Sequence, residues 1–230
     1  MRKLLALVVV VVVLVLAANS ILVVRQVNVE GADELTESEI TQLSSIFYGK
    51  KMFSIKESDF RSAIESGGQY ILDSMTKQYP STIKLTLHKR SVKAFTIQGN
   101  YVLCIDTDGV ILETRSDIPP NIPYISGLNL SRFTVGETID TDESNLVLIR
   151  TLLEALEEAE LNHRVYEINV ESSESILLTT YDRLTVKLGN TESLAQKLEL
   201  LKGTLDDMAA RNESGGTLEF FGATKVIYTP

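Results

Sequence analysis

The chain opens on one unbroken apolar run and then turns to alternating and helical patterns. Residues 4–24 carry no charged side chain. Sixteen of these 21 are Leu, Val or Ile, three are Ala, and Asn19 and Ser20 complete the run. At about 1.5 Å per residue such a helix spans roughly 30 Å, the thickness of a bilayer core. Beyond it, Val27 and Val29 alternate and stop at Gly31, which predicts a short strand and a turn. Thr36 with Glu39 three residues on forms a capping box before Ile40 and Leu43, so a short helix follows. Phe60, Ala63 and Ile64 predict a second helix over residues 58–65, ended by Gly67-Gly68. Residues 70–79 are expected to be extended as far as Pro80. Ile83, Leu85 and Leu87 then share one face of a strand over residues 82–88, and residues 92–98 form another.

The rest of the chain repeats these periods. Residues 101–113 predict a hairpin turning at Asp106-Thr107-Asp108-Gly109. Pro119, Pro120 and Pro123 mark an irregular crossing. Asp142 opens an amphipathic helix with Leu146, Ile149, Leu153 and Leu156 on one face. Strands are expected over residues 164–170, 175–180 and 184–188. Thr191 is then expected to cap a helix carrying Leu194, Leu198, Leu201, Leu205 and Met208. Two short strands, over residues 218–221 and 224–228, finish the pattern.

Composition changes this picture in one respect. The formal charge is −9. Setting aside Arg2 and Lys3 leaves 20 basic against 31 acidic residues, a balance of −11. That balance argues against nucleic acid, whose phosphates need clustered Lys and Arg, and against an anionic membrane surface. Arg2 and Lys3 place the N-terminus in the cytoplasm and the remainder outside it. A cleaved signal peptide is the competing reading of the apolar run, with Ala17-Ala18-Asn19-Ser20 near the cleavage site. The small residues form no clean A-x-A pattern, however, and apolar character resumes at Ile21. A retained anchor is the expectation.

Candidate chemistry is sparse. The one cysteine, Cys104, sits in an apolar run and reads as a small core residue. His88 and His163 lack the spaced companions of a metal site. Asp106-Thr107-Asp108-Gly109 starts like a calcium loop, but Val110 takes the third ligand place and no closing Glu follows. Glu154, Glu157, Glu158 and Glu160 lie on one helix face, where no contrast of environment would separate their acidities. There is no phosphate loop and no nucleophile elbow. The expectation is a protein that is not an enzyme and takes no cofactor.

Several segments resemble a known family. Val27-Asn28-Val29-Glu30-Gly31 resembles the opening strand, and Leu35-Thr36-Glu37-Ser38-Glu39-Ile40 the first helix, of the FtsQ/DivIB family of bacterial cell-division proteins. Gly49-Lys50-Lys51-Met52-Phe53 resembles that family's Gly-x-x-(Met/Leu)-Phe stretch, and Tyr79-Pro80-Ser81-Thr82-Ile83 its proline-led strand. Val92-Lys93-Ala94 and the Asp-Gly hairpin match the segment after it. Val186-Lys187-Leu188-Gly189 before a Leu-rich helix resembles the second half. Two places depart: Lys89-Arg90 stands where a Glu-Arg pair is usual, and Leu218-Glu219-Phe220-Phe221 where an acidic-Leu-Arg pattern is expected.

The resemblance implies an α+β protein: a cytoplasmic tail (residues 1–3), one transmembrane helix (4–24), a POTRA-type β-α-α-β-β domain (25–91) and a mixed α+β domain with an antiparallel sheet (92–230). It also implies a divisome scaffold at the septum of the bacterial cell membrane. Its partners would be small membrane proteins of the FtsL and FtsB/DivIC type. Phe220, Phe221, Thr224, Lys225, Val226, Ile227 and Tyr228 are the candidate partner-binding residues, because a terminal strand at a sheet edge exposes unpaired N–H and C=O groups. A capped edge with its aromatics in the core is the competing reading, since alternate strand residues face a core. Another reading of the whole is an extracytoplasmic binding protein for a small ligand or wall polymer.

Overall fold

The computed structural model describes residues 22–31 and 36–230. Most of the expected membrane run lies outside the described residues. Its last three members do not. Val23 bridges Lys51, and Val24 is fully buried in a protein core. Among the described residues, no helix is long and apolar enough to cross a membrane. The chain divides into two compact units, one ending at Arg90 and the other running from Ser91 to Pro230.

The first unit has the order β1 (Gln26–Glu30), α1 (Glu37–Ser45), α2 (Glu57–Glu65), β2 (Tyr70–Gln78), β3 (Thr82–Lys89). The capping box forms as the sequence predicts. Thr36 Oγ1 accepts from Glu39 N at 3.3 Å, and Glu39 Oε2 accepts from Thr36 N at 2.8 Å. The Thr36 hydroxyl also donates to Glu39, which lowers that carboxyl's pKa. β3 is the central strand, parallel to β1 and antiparallel to β2. Its alternation puts Ile83, Leu85 and Leu87 inward, where they meet Val27, Phe60, Ile64 and Leu72. Phe47 and Phe60 stack at 3.5 Å between ring centroids.

The second unit is one nine-stranded sheet. Its strands are β4 (Ala94–Gln98), β5 (Tyr101–Ile105), β6 (Ile111–Arg115), β7 (Tyr124–Ser126), β8 (Val165–Asn169), β9 (Ile176–Thr180), β10 (Thr185–Gly189), β11 (Thr217–Phe221) and β12 (Lys225–Thr229). The spatial order is β12-β11-β10-β9-β8-β7-β4-β5-β6. Two helices, α3 (Glu143–Glu158) and α4 (Leu194–Ala210), supply one continuous core with the inward residues of these strands. On α3 the buried stripe is wider than one helical row, taking in Leu148 and Leu152 besides Ile149, Leu153 and Leu156. A smaller cluster of Phe95, Val102 and Cys104 is separate from that core. Burial pushes the Cys104 thiol pKa up, aided by Glu113, as suits a small apolar residue rather than a nucleophile.

Some local expectations are corrected. β7 falls inside the crossing that the prolines predict to be irregular. It is three residues long and has no period of its own. It exists because β4 and β8 both pair with it in parallel, through Phe95–Tyr124 and Tyr124–Glu167. α4 is not capped by Thr191. Ser193 occupies the cap in a left-handed conformation, and Asn190 Oδ1 accepts from Glu192 N at 3.1 Å. Short polar side chains in a turn compete for the same backbone groups, so the sequence leaves the choice among them open. The Asp106–Gly109 turn forms as expected. Gly109 adopts φ +76°, and Asp106 Oδ1 accepts from Val110 N at 2.8 Å.

Lys197 is the unexpected member of the α4 stripe, only 4% exposed. Its ammonium donates to Leu188 O at 3.1 Å and to Asn190 O at 2.8 Å, tying the first turns of α4 to the end of β10. Lys197→Met keeps the apolar stem but strands those carbonyls. A loss of about 1–3 kcal/mol is expected, read as a drop of roughly 3–10 °C in the thermal midpoint. An unchanged midpoint would show that the carbonyls find water instead.

Candidate partner-binding edge

The sheet of the second unit ends in two edge strands that differ in kind. β6 is partly covered. Ile111 N donates to Glu137 O at 2.9 Å, Gly136 N donates to Ile111 O at 2.8 Å, and Val110 bridges Thr138. The rest of β6 carries charge: Arg115 lies 3.6 Å from Glu113 and 2.8 Å from Asp117. Cover and charge are the usual ways of blunting an edge.

β12 lies at the opposite edge, antiparallel to β11, which in turn runs parallel to β10. No other strand pairs with its outer side among the described residues. It runs one residue later than expected, from Lys225 to Thr229, so Thr224 sits in the turn instead of the strand. β11 likewise starts at Thr217, one residue earlier than expected.

The structure sorts the candidate residues onto two faces. Phe220, Val226 and Tyr228 are half-buried against the core beneath α4. The Tyr228 hydroxyl donates to Gly215 O at 3.4 Å, a long bond. Phe221 and Ile227 lie on the other face and are 50% and 42% exposed. There the Lys225 ammonium stands 5.8 Å from the Phe221 ring centroid, and Lys187 lies 3.7 Å from Glu219. Gly216, at φ +87°, lets β11 and β12 close together. A Cβ there would lie 2.5 Å from Thr229 O and 2.8 Å from the Tyr228 ring.

Beside this edge lies an open groove of about 610 Å³, lined by Glu199, Leu200, Gly203, Thr204, Ala223 and Thr224 among others. The α4 side of it is not singled out by the sequence pattern. Its one signal is Gly203, a glycine in a helix interior, where it costs about 1 kcal/mol relative to alanine. A Cβ at that position would meet nothing within 4 Å.

The groups weighed for catalysis do not converge. His88 Nδ1 is 2.6 Å from Asp73 in the first unit, while His163 is exposed in the second. Glu154 and Glu158 are exposed, Glu157 pairs with Lys93, and Glu160 lies 2.6 Å from Lys202, which lowers its pKa. Among the described residues no group of three or more His, Cys, Asp or Glu is placed to hold a metal ion.

A small β-α-α-β-β unit followed by a nine-stranded sheet backed by two helices defines the class: a two-unit α+β protein. Family comparison agrees. The model for "Cell division protein FtsQ/DivIB, C-terminal" matches residues 94–219, and that for "POTRA domain, FtsQ-type" matches residues 22–90. The chain belongs to the FtsQ/DivIB family of cell-division proteins. It is 27% identical over 202 residues to "Cell division protein FtsQ" of Mycobacteroides abscessus, covering 88% of this chain and 62% of that relative. It is 22% identical over 176 residues to "Cell division protein DivIB" of Clostridium acetobutylicum, covering 76% and 70%. The chain thus spans less than two thirds of the first of these relatives. The C-terminal family match stops at Glu219, so β12 lies beyond it.

Proposed function

We propose that this chain is a non-catalytic scaffold of the division machinery. It is held in the bacterial cell membrane by the apolar run that precedes Leu22, with its N-terminus cytoplasmic and both units outside. In this reading β12 accepts a strand from a partner of the FtsL and FtsB/DivIC type, and the family's cell-division role supplies the context. The observation that carries the reading is the contrast between the two edges. β6 is partly covered and charged, whereas no strand pairs with the outer side of β12 among the described residues, and Phe221 and Ile227 stand exposed beside it. A partner strand would complete the ladder, and its alternate side chains would meet the exposed face on one side and the α4 groove on the other.

A fluorescent fusion of the full chain tests the cellular side. It is expected to concentrate at midcell in dividing cells and to fractionate with membranes. Uniform distribution around the envelope, or release into the soluble fraction, would remove the scaffold reading.

A further inference from the structure

The strand registers of the first unit define its two ends. β1 starts beside Thr82 and finishes beside Thr86, and β2 finishes opposite Thr82. α1 ends at Ser45 and α2 begins at Glu57. One end of the unit therefore gathers residues 22–26, 46–57 and 77–82. The point where the apolar run enters is tied directly to this end. Met52 N donates to Leu22 O at 3.0 Å, Gly49 N to Val24 O at 2.9 Å, and Val24 N to Lys50 O at 2.9 Å.

This end is basic and aromatic. Arg25, Lys50, Lys51 and Lys56 are exposed there, and none of the four is ion-paired among the described residues. The carboxylates at this end are already engaged: Glu57 binds Arg61 at 2.8 Å, and Asp59 accepts from Lys56 N at 3.1 Å. The same end carries Phe53, 61% exposed, and Tyr79, 63% exposed. Lys51 Nζ lies 5.8 Å from the Phe53 ring centroid.

We propose that this end of the first unit rests on the anionic headgroups of the bilayer from which the apolar run emerges. The inference builds on the anchor reading made above. Leu22, itself a member of the run, is hydrogen-bonded to the 49–52 loop, so the described end of the run lies at this surface. Aromatic rings favour the headgroup level, and lysines close to anionic lipid are drawn to it. The chain's net charge points the other way. Screening confines these interactions to about 8–10 Å, however, so the local group of cations decides the contact. Each such cation favours docking by roughly a factor of five. The docked unit would be held close to the membrane instead of swinging on its anchor.

The chain has no tryptophan, so Phe53→Trp gives a single reporter in the full-length protein. It would be reconstituted into nanodiscs of phosphatidylcholine alone or with phosphatidylglycerol. In the anionic discs its emission is expected to shift to the blue and to be quenched by headgroup-proximal brominated lipid. Adding Lys50→Gln and Lys51→Gln should lower the docked-to-undocked ratio by about 25-fold with the thermal midpoint unchanged. A second reporter, Ser66→Trp at the opposite end, should stay in water. A water-exposed indole at position 53 in both kinds of disc would overturn the proposal, as would quenching indifferent to phosphatidylglycerol and to the lysines. So would a blue shift seen only when a partner protein is added. Protein that elutes apart from the discs would instead overturn the anchor reading on which the proposal stands.

Discussion

Removal of residues 223–230 is expected to abolish co-purification with the FtsL and FtsB/DivIC-type pair while the chain stays in the membrane fraction. The deletion removes β12, and with it the backbone ladder a partner strand would join. Strand addition draws affinity from that ladder and specificity from alternate side chains. Losing both exceeds any single hot spot, itself worth about 2 kcal/mol or more, or roughly thirtyfold in affinity. The deletion also uncovers Leu218 and Phe220, so a gentler variant keeps the test sharp. Phe221→Ala with Ile227→Asp alters only exposed side chains and should change stability by about 0.5 kcal/mol or less per site. It is still expected to weaken partner binding at least about tenfold. Full binding by either variant would remove the edge-strand account.

Phe60→Ala is expected to destabilise or unfold the first unit and leave the second intact. Phe60 is buried and stacks on Phe47 at 3.5 Å. Truncating a core phenylalanine costs about 3–5 kcal/mol. A unit of this size holds roughly 3–10 kcal/mol in total, so the loss takes from about a third to all of it. Hydrogen exchange should show β1–β3 amides opening while α3 and the central strands β8–β10 keep their protection. Joint loss of protection in both units would mean that they fold as one, against the division at Arg90.

The reach of sequence reasoning follows physical lines. Strong periods are legible: the β3 alternation, the α3 and α4 stripes and the Thr36 capping box all rest on contacts within a few residues or on one buried face. β7 is hidden because three residues carry no period and its pairing partners lie about 30 to 40 positions away. The covering of β6 by residues 136–139 is hidden for a similar reason, since a backbone contact with a loop leaves no side-chain pattern. For the candidate site, the sequence supplies the two terminal strands and their aromatics. It does not supply which strand lies at the rim, because the parallel pairing of β11 with β10 across α4 is a property of topology. Nor does it separate Phe220 from Phe221. Two adjacent rings break the alternation, so the pattern alone does not fix which of them faces the core.

Amide hydrogen exchange of the full-length chain, alone and with the FtsL and FtsB/DivIC-type pair, tests the open edge most directly. The account predicts new protection across residues 225–229 and along the α4 groove, with the β6 edge unchanged. Saturated partner binding that leaves the β12 amides exchanging as before would contradict it.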